Sequence, residues 1–130
     1  FGCYIAMFAT LSQTDLGWHI SCLTCAVDCG IIINPDNVRA QIEGGIIFGL
    51  NAAIGHAIHI ENGRVKESNF DDYPIMSMAE IPDIEIDIAT NNYTPGGVGE
   101  IAVPPVAPAI ANALFSATEE RPRVIPFKLT

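Results

Sequence analysis

One carboxylate in this sequence directly follows its most flexible stretch of backbone. Glu100 comes immediately after residues 96–99, which read GGVG, and no other Asp or Glu occurs between Asp87 and Glu119. Glycine lets another molecule approach the backbone closely, and apolar surroundings raise the pKa of a carboxyl group, which suits it to proton transfer. The pattern therefore indicates Glu100 as a candidate general base. The simpler alternative is an acid exposed on a loop.

A second candidate site lies on a predicted helix. Gln41, Gly45 and Gly49 recur at intervals of four residues, so they share one helix face that carries an amide at its start and is bare beyond it. Each glycine costs a helix interior about 1 kcal/mol relative to alanine, which indicates that the bare face has a purpose. Close packing against another element is one explanation. The other is a ligand that lies on the bare face and is hydrogen-bonded by Gln41.

The cysteines raise the question of a metal site. Cys22, Cys25 and Cys29 have the spacing C-x2-C-x3-C, which would suit zinc or an iron–sulfur cluster if the segment were a loop. The segment instead has the alternating, β-branched character of a strand, in which Cys22 faces away from the other two and Cys25 lies roughly 13 Å from Cys29. That geometry favours buried, uncoordinated thiols, and we assign no metal ligands. A small cysteine-based metal-binding protein is the weaker alternative.

Composition and charge exclude several classes of partner. The 130 residues are 49% hydrophobic and 16% charged, and 15 acids against 6 bases give a net charge of −9. These values are typical of a single globular domain spanning residues 1–130. They argue against nucleic acid and anionic membrane surfaces, which attract clustered Lys and Arg. The apolar runs within residues 44–60 and 101–117 are too short or too interrupted for a membrane span of roughly 20 residues.

The N-terminus of the sequence resembles the middle of a protein. It has no initiator Met and no basic start of a signal peptide, and it begins within a strand-like pattern. We therefore expect the chain to be a soluble fragment of a longer protein, cytoplasmic or periplasmic. Such a fragment exposes surface that normally meets the rest of the protein, which favours self-association.

Local patterns predict an α+β fold. Two β-branched stretches around a polar turn predict a hairpin, Asn-Pro-Asp predicts a helix start, Asn-Gly predicts a two-residue hairpin turn, and alternating Ile and acidic residues predict a half-buried strand. The predicted elements are strands at 1–11, 17–28 and 81–89, a hairpin centred on Asn62–Gly63, a loop at 91–99, helices at 36–54 and from Pro104 or Pro105 to Thr118, and a strand or extended tail at 123–129. Together they form a mixed or antiparallel sheet carrying two main helices.

Finer details of the first helix also follow from its sequence. Asn34 has the side chain of an N-cap, and Gly55 is placed to end the helix at a C′ position. Arg39 and Glu43 are four residues apart, which predicts an ion pair on the exposed side. The turn of the first hairpin is predicted at residues 13–15.

Three motifs, in this order, resemble those of a known enzyme family. They are NPD-x-x-x-x-Q-x-EGG beginning at Asn34, DYP beginning at Asp72, and GGVGE-x-x-VPP-x-APA beginning at Gly96. Nearly the whole chain, about residues 1–127, resembles the C-terminal part of the large subunit in the xanthine dehydrogenase and aldehyde oxidase superfamily of molybdenum hydroxylases. Within that superfamily the chain looks most like the isoquinoline 1-oxidoreductase β-subunit type.

The resemblance implies roles for particular residues. It implies a molybdopterin-binding domain, with the molybdenum cofactor bound in the full-length parent. Glu100 would be the general base in the hydroxylation of an N-heterocycle or an aldehyde, with water as the ultimate source of oxygen. Gln41 would contact the molybdopterin near the metal, and Gly97, Val98 and Gly99 would lie beside the cofactor.

The short chain limits what the resemblance implies for this piece alone. Large subunits of the family are several times longer and supply further cofactor-binding loops and much of the substrate pocket, while electrons leave through iron–sulfur clusters elsewhere. We therefore expect the isolated chain to bind no cofactor and to lack turnover. Its expected partners are the remainder of the large subunit and an iron–sulfur subunit. A non-catalytic structural or assembly domain that keeps the family sequence is the alternative.

Overall fold

A three-stranded sheet carries both long helices on one face. The structure, a computed structural model, describes residues 2–129, so Phe1 of the predicted first strand lies outside the described residues. The elements are β1 (Tyr4–Thr14), β2 (Gly17–Asp28), α1 (Pro35–Ile54), β3 (Ile60–Glu61), β4 (Arg64–Val65), a 3₁₀ turn (Met78–Glu80), β5 (Asp83–Ala89) and α2 (Val106–Thr118). The sheet order is β1-β2-β5, and β3 pairs separately with β4. Because β2 runs antiparallel to β1 and parallel to β5, the sheet is mixed, which confirms the predicted α+β fold with two main helices.

The core lies between the sheet and the helices because each element presents one apolar face. Side chains alternate along β2, which buries every second residue near its end. Helical spacing likewise gathers the apolar residues of α1 and α2 on one side. The buried residues that meet there are Leu23, Cys25 and Val27 from β2, Ile42, Ile46 and Leu50 from α1, and Val106, Ile110 and Leu114 from α2. Full burial of such a side chain stabilises the fold by about 1.5–3 kcal/mol.

The first hairpin turns later than predicted. Strand β1 continues to Thr14, beyond the predicted strand end at residue 11 and into the turn predicted at residues 13–15. Thr14 Oγ1 closes the tighter turn, because it donates to the carbonyl of Gly17 at 2.9 Å and accepts the N–H of Leu16 at 3.2 Å. Gln13 and Thr14 of the predicted turn therefore form the exposed end of the strand, whereas Asp15 lies in the turn, as predicted.

Helix α1 begins as predicted and ends differently. Asn34 is the N-cap and accepts the N–H of Asn37 at 3.1 Å, and the helix runs from Pro35. Gly55 follows the last helical residue, but its φ of −82° is not left-handed, and its N–H bonds the carbonyl of Asn51 at 3.0 Å. The helix therefore ends without the left-handed C′ glycine that the sequence predicted.

The predicted ion pair between Arg39 and Glu43 is not formed. Arg39 Nη1 donates instead to the carbonyl of Ile86 on β5, at 2.9 Å. This backbone acceptor is brought close only by the packing of α1 beside the sheet. A sequence rule for isolated helices cannot anticipate such a competitor.

The glycines of α1 allow close packing of α1 against the chain that leads into α2. A Cβ on Gly45 would lie 3.0 Å from Cβ of Ala102, and one on Gly49 would lie 2.7 Å from a methyl carbon of Val106. Of the two explanations for the bare face, close packing therefore describes Gly45 and Gly49. Gly44 differs, because a Cβ there would meet nothing within 4 Å. The uncovered side of α1 is therefore at Gly44, beside the predicted groove of Gly45 and Gly49, which is itself filled by the packed chain.

The small hairpin confirms the predicted Asn-Gly turn. Asn62 and Gly63 have φ of 52° and 76°, the left-handed pair that a two-residue turn requires. Beside the hairpin, the Glu67 carboxylate accepts the backbone N–H of His59 at 2.8 Å and meets the Nδ1 of its ring at 2.5 Å. These two hydrogen bonds lower the pKa of Glu67 to about 2.

The last residues form an extended tail, the second of the two predicted alternatives. Phe127 is buried and its N–H donates to the carbonyl of Ala53 at 2.7 Å, while the carbonyl of Leu129 accepts the N–H of Trp18 at 2.5 Å. The tail thus joins the end of α1 to the start of β2 by single hydrogen bonds rather than by a ladder.

The described residues lack two further features that would bear on function. Within residues 2–129, no helix has the combined length and apolarity that a membrane crossing needs. The same residues contain no group of three or more His, Cys, Asp or Glu side chains placed to hold a metal ion.

The two glycine environments predict opposite effects of adding one methyl group. Gly49→Ala forces the new Cβ onto Val106 and the carbonyl of Val103, 2.9 Å away, so we expect it to destabilise the fold by about 1–3 kcal/mol. Gly44→Ala meets open space and removes a glycine from a helix, so it should stabilise by up to about 1 kcal/mol. Urea denaturation should therefore show midpoints that move in opposite directions. Equal midpoints for the two variants would contradict this account of the packing.

Candidate functional site

Glu100 lies on an irregular segment that joins the glycine loop to α2. The N–H of Val103 donates to the carbonyl of Glu100 at 2.9 Å, and the N–H of Val106 donates to that of Val103 at 3.4 Å. Between them Ala102 is only 1% exposed and packs against Gly45 of α1. The backbone at Glu100 is thus held by turns and by a buried neighbour, while its own side chain is exposed.

Gln41 connects α1 to the glycine loop. Its side-chain Nε2 donates to the carbonyl of Gly99 at 2.6 Å, which places the amide one residue before Glu100. A hydrogen bond of this kind contributes about 0.5–1.5 kcal/mol net. The amide predicted to bind a ligand therefore also holds the backbone beside the predicted base.

Gln41 and Glu100 line the same cleft. This cavity, called here the Glu100 cleft, has a volume of about 460 Å³. Its floor on α1 is bare, because Gly44 has no side chain and nothing lies within 4 Å of where one would be. The residues lining it are Gln41, Gly44, Gly45 and Phe48 of α1 and Gly99, Glu100, Val103 and Pro104 of the segment before α2.

Glu100 is also reached from two further sides. One opening is lined by Gly97, Gly99 and Ile101, and another by Ile5, Ile101 and two prolines that follow Glu100. The sequence predicted that apolar residues surround Glu100. In residues 2–129 they do not enclose it, because its carboxylate is exposed. The neighbouring walls are apolar, but they form a rim rather than an enclosure.

The glycine loop is fastened to the end of β2. The N–H of Gly96 donates to the carbonyl of Cys29 at 2.9 Å, and the N–H of Ile31 donates to that of Tyr93 at 3.0 Å. Asp28 supports the same corner, since its carboxylate accepts the N–H of Gly30 at 3.2 Å and the side-chain amide of Asn91. The loop therefore leaves the sheet in a fixed direction and delivers residues 97–100 to α1.

The predicted site residues do not all face the same space. Gln41, Gly99 and Glu100 line the Glu100 cleft, and Gly97 opens on the adjoining side of Glu100. Val98 is partly buried and packs against the core, so its side chain supports the loop. The structure thus brings together the residues singled out at two distant places in the sequence.

Phe48 is a cleft residue that the sequence analysis missed. It follows Gln41 by seven positions and Gly44 by four, so the three share one helix face. Phe48 is 70% exposed although it lies on a helix that packs into the core. The sequence contained a signal for this position. Phe48 shares a helix face with Gln41 and Gly44, and that face differs from the one that Gly45 and Gly49 pack against the core.

The cleft suits a flat polar group rather than a bare metal ion. It offers a glycine floor, an aromatic side, one amide and one carboxylate. Within residues 2–129 no cluster of three metal-binding side chains occurs. A carboxylate at the rim could then exchange a proton with whatever occupies the cleft.

Known proteins share both the sequence and the fold. A family described as molybdopterin cofactor-binding domain matches residues 4–82. The β subunit of isoquinoline 1-oxidoreductase from Brevundimonas diminuta is 37% identical over 109 residues, covering 84% of this chain and 14% of that protein. A membrane-bound aldehyde dehydrogenase (pyrroloquinoline-quinone) from Gluconacetobacter polyoxogenes is 34% identical, covering 82% of this chain and 14% of that protein.

A solved structure matches almost the whole fold. A copper- and molybdenum-containing carbon monoxide dehydrogenase in its carbon monoxide-reduced state superposes with a TM-score of 0.78 at 26% identity. The match covers 90% of this chain and 16% of that one. The chain therefore spans about one seventh of the length of the relatives that it matches.

The bond from Gln41 to Gly99 predicts a local effect on the loop. Gln41→Met keeps the length of the side chain and removes the donor, so amide exchange at Gly96 and Val103, the hydrogen-bonded N–H groups on either side of Gly99, should become roughly 2- to 10-fold faster, as expected for about 0.5–1.5 kcal/mol. Ala40→Met adds the same side chain at the neighbouring exposed position and should leave the loop unchanged. Hydrogen exchange read by mass spectrometry checks both. Equal exchange in the two variants would show that Gln41 does not hold the loop.

Proposed function

This chain belongs to the molybdopterin cofactor-binding domain family, and we propose that it forms one wall of the active site of a longer molybdenum hydroxylase, with Glu100 as the general base. The observation that carries the proposal is the Glu100 cleft. An isolated carboxylate and a helical amide, 59 positions apart in the sequence, line one cavity over a bare glycine floor.

Different residues of the chain would have different roles at this part of the active site. The bound cofactor would supply the redox chemistry, accepting two electrons from the substrate carbon. Glu100 would take a proton, at a carboxylate oxygen, from the water-derived oxygen that attacks the substrate. Gln41 would present its amide to the cofactor while holding the carbonyl of Gly99. Gly97 and Gly99 would let the cofactor approach the backbone closely, and Val98 would anchor the loop on the core.

The exposure of Glu100 fits a base whose other walls come from the rest of the parent. Closing an active site excludes water and strengthens each electrostatic interaction inside it. Here the rim is already apolar, formed by Ile5, Ile101, Val103 and Pro104. A covering segment would complete the apolar surroundings that a carboxyl group needs to act as a base near neutral pH.

The proposed substrate is an N-heterocycle or an aldehyde. An aromatic side chain beside a bare floor suits a flat, electron-poor ring or carbonyl carbon. Isoquinoline and aldehyde also appear in the names of the two relatives above.

The proposed partners are the remainder of the large subunit and an iron–sulfur subunit that removes the electrons. Large apolar side chains are exposed over much of this chain, which is typical of a surface that meets other protein. The most exposed include Leu16, Ile33, Phe70 and Met78. In isolation the same surface would favour self-association.

The isolated chain is expected to hold no cofactor. One open wall contributes few contacts, and a site closed from one side does not offset the cost of immobilising a ligand. Molybdenum measured by mass spectrometry should therefore be near zero in the purified 130-residue chain and present in the purified full-length parent. Stoichiometric molybdenum in the short chain would contradict the claim that the other walls are needed.

The role of Glu100 is tested in the full-length parent. Glu100→Gln keeps the size of the side chain and removes the base, so hydroxylation should fall by about 10²- to 10⁴-fold with molybdenum retained. Glu120→Gln changes an exposed acid beyond the end of α2 and should have no effect. Full activity in Glu100→Gln would favour a structural or assembly role for this domain. Loss of both activity and molybdenum would show that Glu100 holds the cofactor instead.

A further inference from the structure

Two cysteines flank the end of the β1–β2 ladder. The last pair in the ladder is Tyr4 with Asp28, so Cys3 directly precedes the paired part of β1 and Cys29 directly follows that of β2. Extending the register by one residue would pair Cys3 with Cys29. Both continue the inward-facing series of their strands, after Ile5 on β1 and Val27 on β2. The two thiols therefore lie on the same face of the sheet, the face that carries the helices.

The spacing of opposed residues suits a covalent link. Directly opposed residues in antiparallel strands have Cα atoms roughly 4.5–5.5 Å apart, and disulfides span roughly 4.4–6.8 Å between Cα atoms. The other two cysteines lack such a match. Cys22 is opposite Thr10 and Cys25 is opposite Met7, and three residues along one strand place them on opposite faces.

The surroundings of the pair support their proximity. All four cysteines are free thiols, with Cys29 buried and Cys3 partly buried. Burial raises the pKa of the Cys3 thiol, and the neighbouring Cys29 raises it further. The chemistry of the Glu100 cleft does not use either thiol.

The pair also touches the glycine loop. A Cβ on Gly96 would overlap Cys3 Sγ, so the backbone of Gly96 lies directly on that sulfur. The N–H of Gly96 donates to the carbonyl of Cys29 at 2.9 Å. Gly96 therefore contacts both cysteines, four positions before Glu100.

We propose that Cys3 and Cys29 form a reversible disulfide that fixes the glycine loop at its origin on the sheet. With oxidised glutathione as the oxidant, the thiolate of one cysteine attacks a sulfur of its disulfide bond and releases one reduced glutathione. The thiolate of the second cysteine then attacks the mixed disulfide, forms the protein S–S bond and releases another glutathione. The two protein sulfurs lose two electrons and the oxidant gains them, while the two thiol protons pass to the solvent and the glutathione.

The pairing is tested on the purified chain with oxidised glutathione, intact mass and peptide mapping. We expect the mass to fall by two hydrogens and the map to contain one linked peptide pair, Cys3 with Cys29. Cys22→Ser, at another partly buried position, should give the same link, whereas Cys3→Ser should give none. A linked pair containing Cys22 or Cys25, or glutathione adducts without an internal link, would overturn the proposal.

The effect on the loop is measured on the same samples. Hydrogen exchange at residues 91–99 should be several-fold slower in the oxidised protein than in the reduced protein, because the link restrains the two groups that hold Gly96. Reduction with dithiothreitol should restore the faster exchange. Unchanged exchange in a protein shown to contain the Cys3–Cys29 link would overturn the claim that the disulfide fixes the loop.

Discussion

The contact between two helical glycines and the segment before α2 is the constraint on which the candidate site depends. Gly45 and Gly49 bring that segment so close that added methyl groups would lie 3.0 Å from Cβ of Ala102 and 2.9 Å from the carbonyl oxygen of Val103. Protein interiors are close-packed, so such an approach leaves little freedom for the backbone on either side. Glu100 precedes Ala102 by two residues and is therefore placed beside α1 by packing rather than by any bond to its own carboxylate.

The same contact explains why one helix serves both the core and the cleft. Residues 45 and 49 face the segment before α2, whereas Gln41, Gly44 and Phe48 are rotated toward the open side. The side-chain amide of Gln41 then donates to the carbonyl of Gly99 at 2.6 Å and fixes the loop to α1. The loop is held at its origin by Cys29 and at its end by α1, and between them its glycines stay accessible. A rigid frame with an accessible backbone is suited to holding a ligand in one fixed position.

Local chemistry explains the parts of the fold that were predicted correctly. Asn34 caps α1 because its side-chain oxygen satisfies a free N–H, and Asn62 and Gly63 form a turn because both accept left-handed φ. Ile84, Ile86 and Ile88 alternate with acids because β5 is buried on one face only. The details that were predicted wrongly depend instead on contacts between distant parts of the chain. Arg39 leaves Glu43 for the carbonyl of Ile86, an acceptor on a strand 47 positions away that no local rule contains.

The sequence by itself determined the elements, the isolated acid, the amide and the family motifs, because propensities, periodicity and motifs depend on neighbouring residues. It indicated Glu100, Gln41 and residues 97–99, and only the family resemblance implied that they surround one cofactor. Tertiary packing decided that Gly45 and Gly49 are contact surfaces while Gly44 is the open floor, that Phe48 lines the cleft, and that Gly96 contacts both Cys3 and Cys29. It also left Glu100 exposed, because burial depends on which surfaces meet, and no surface among residues 2–129 covers this side chain.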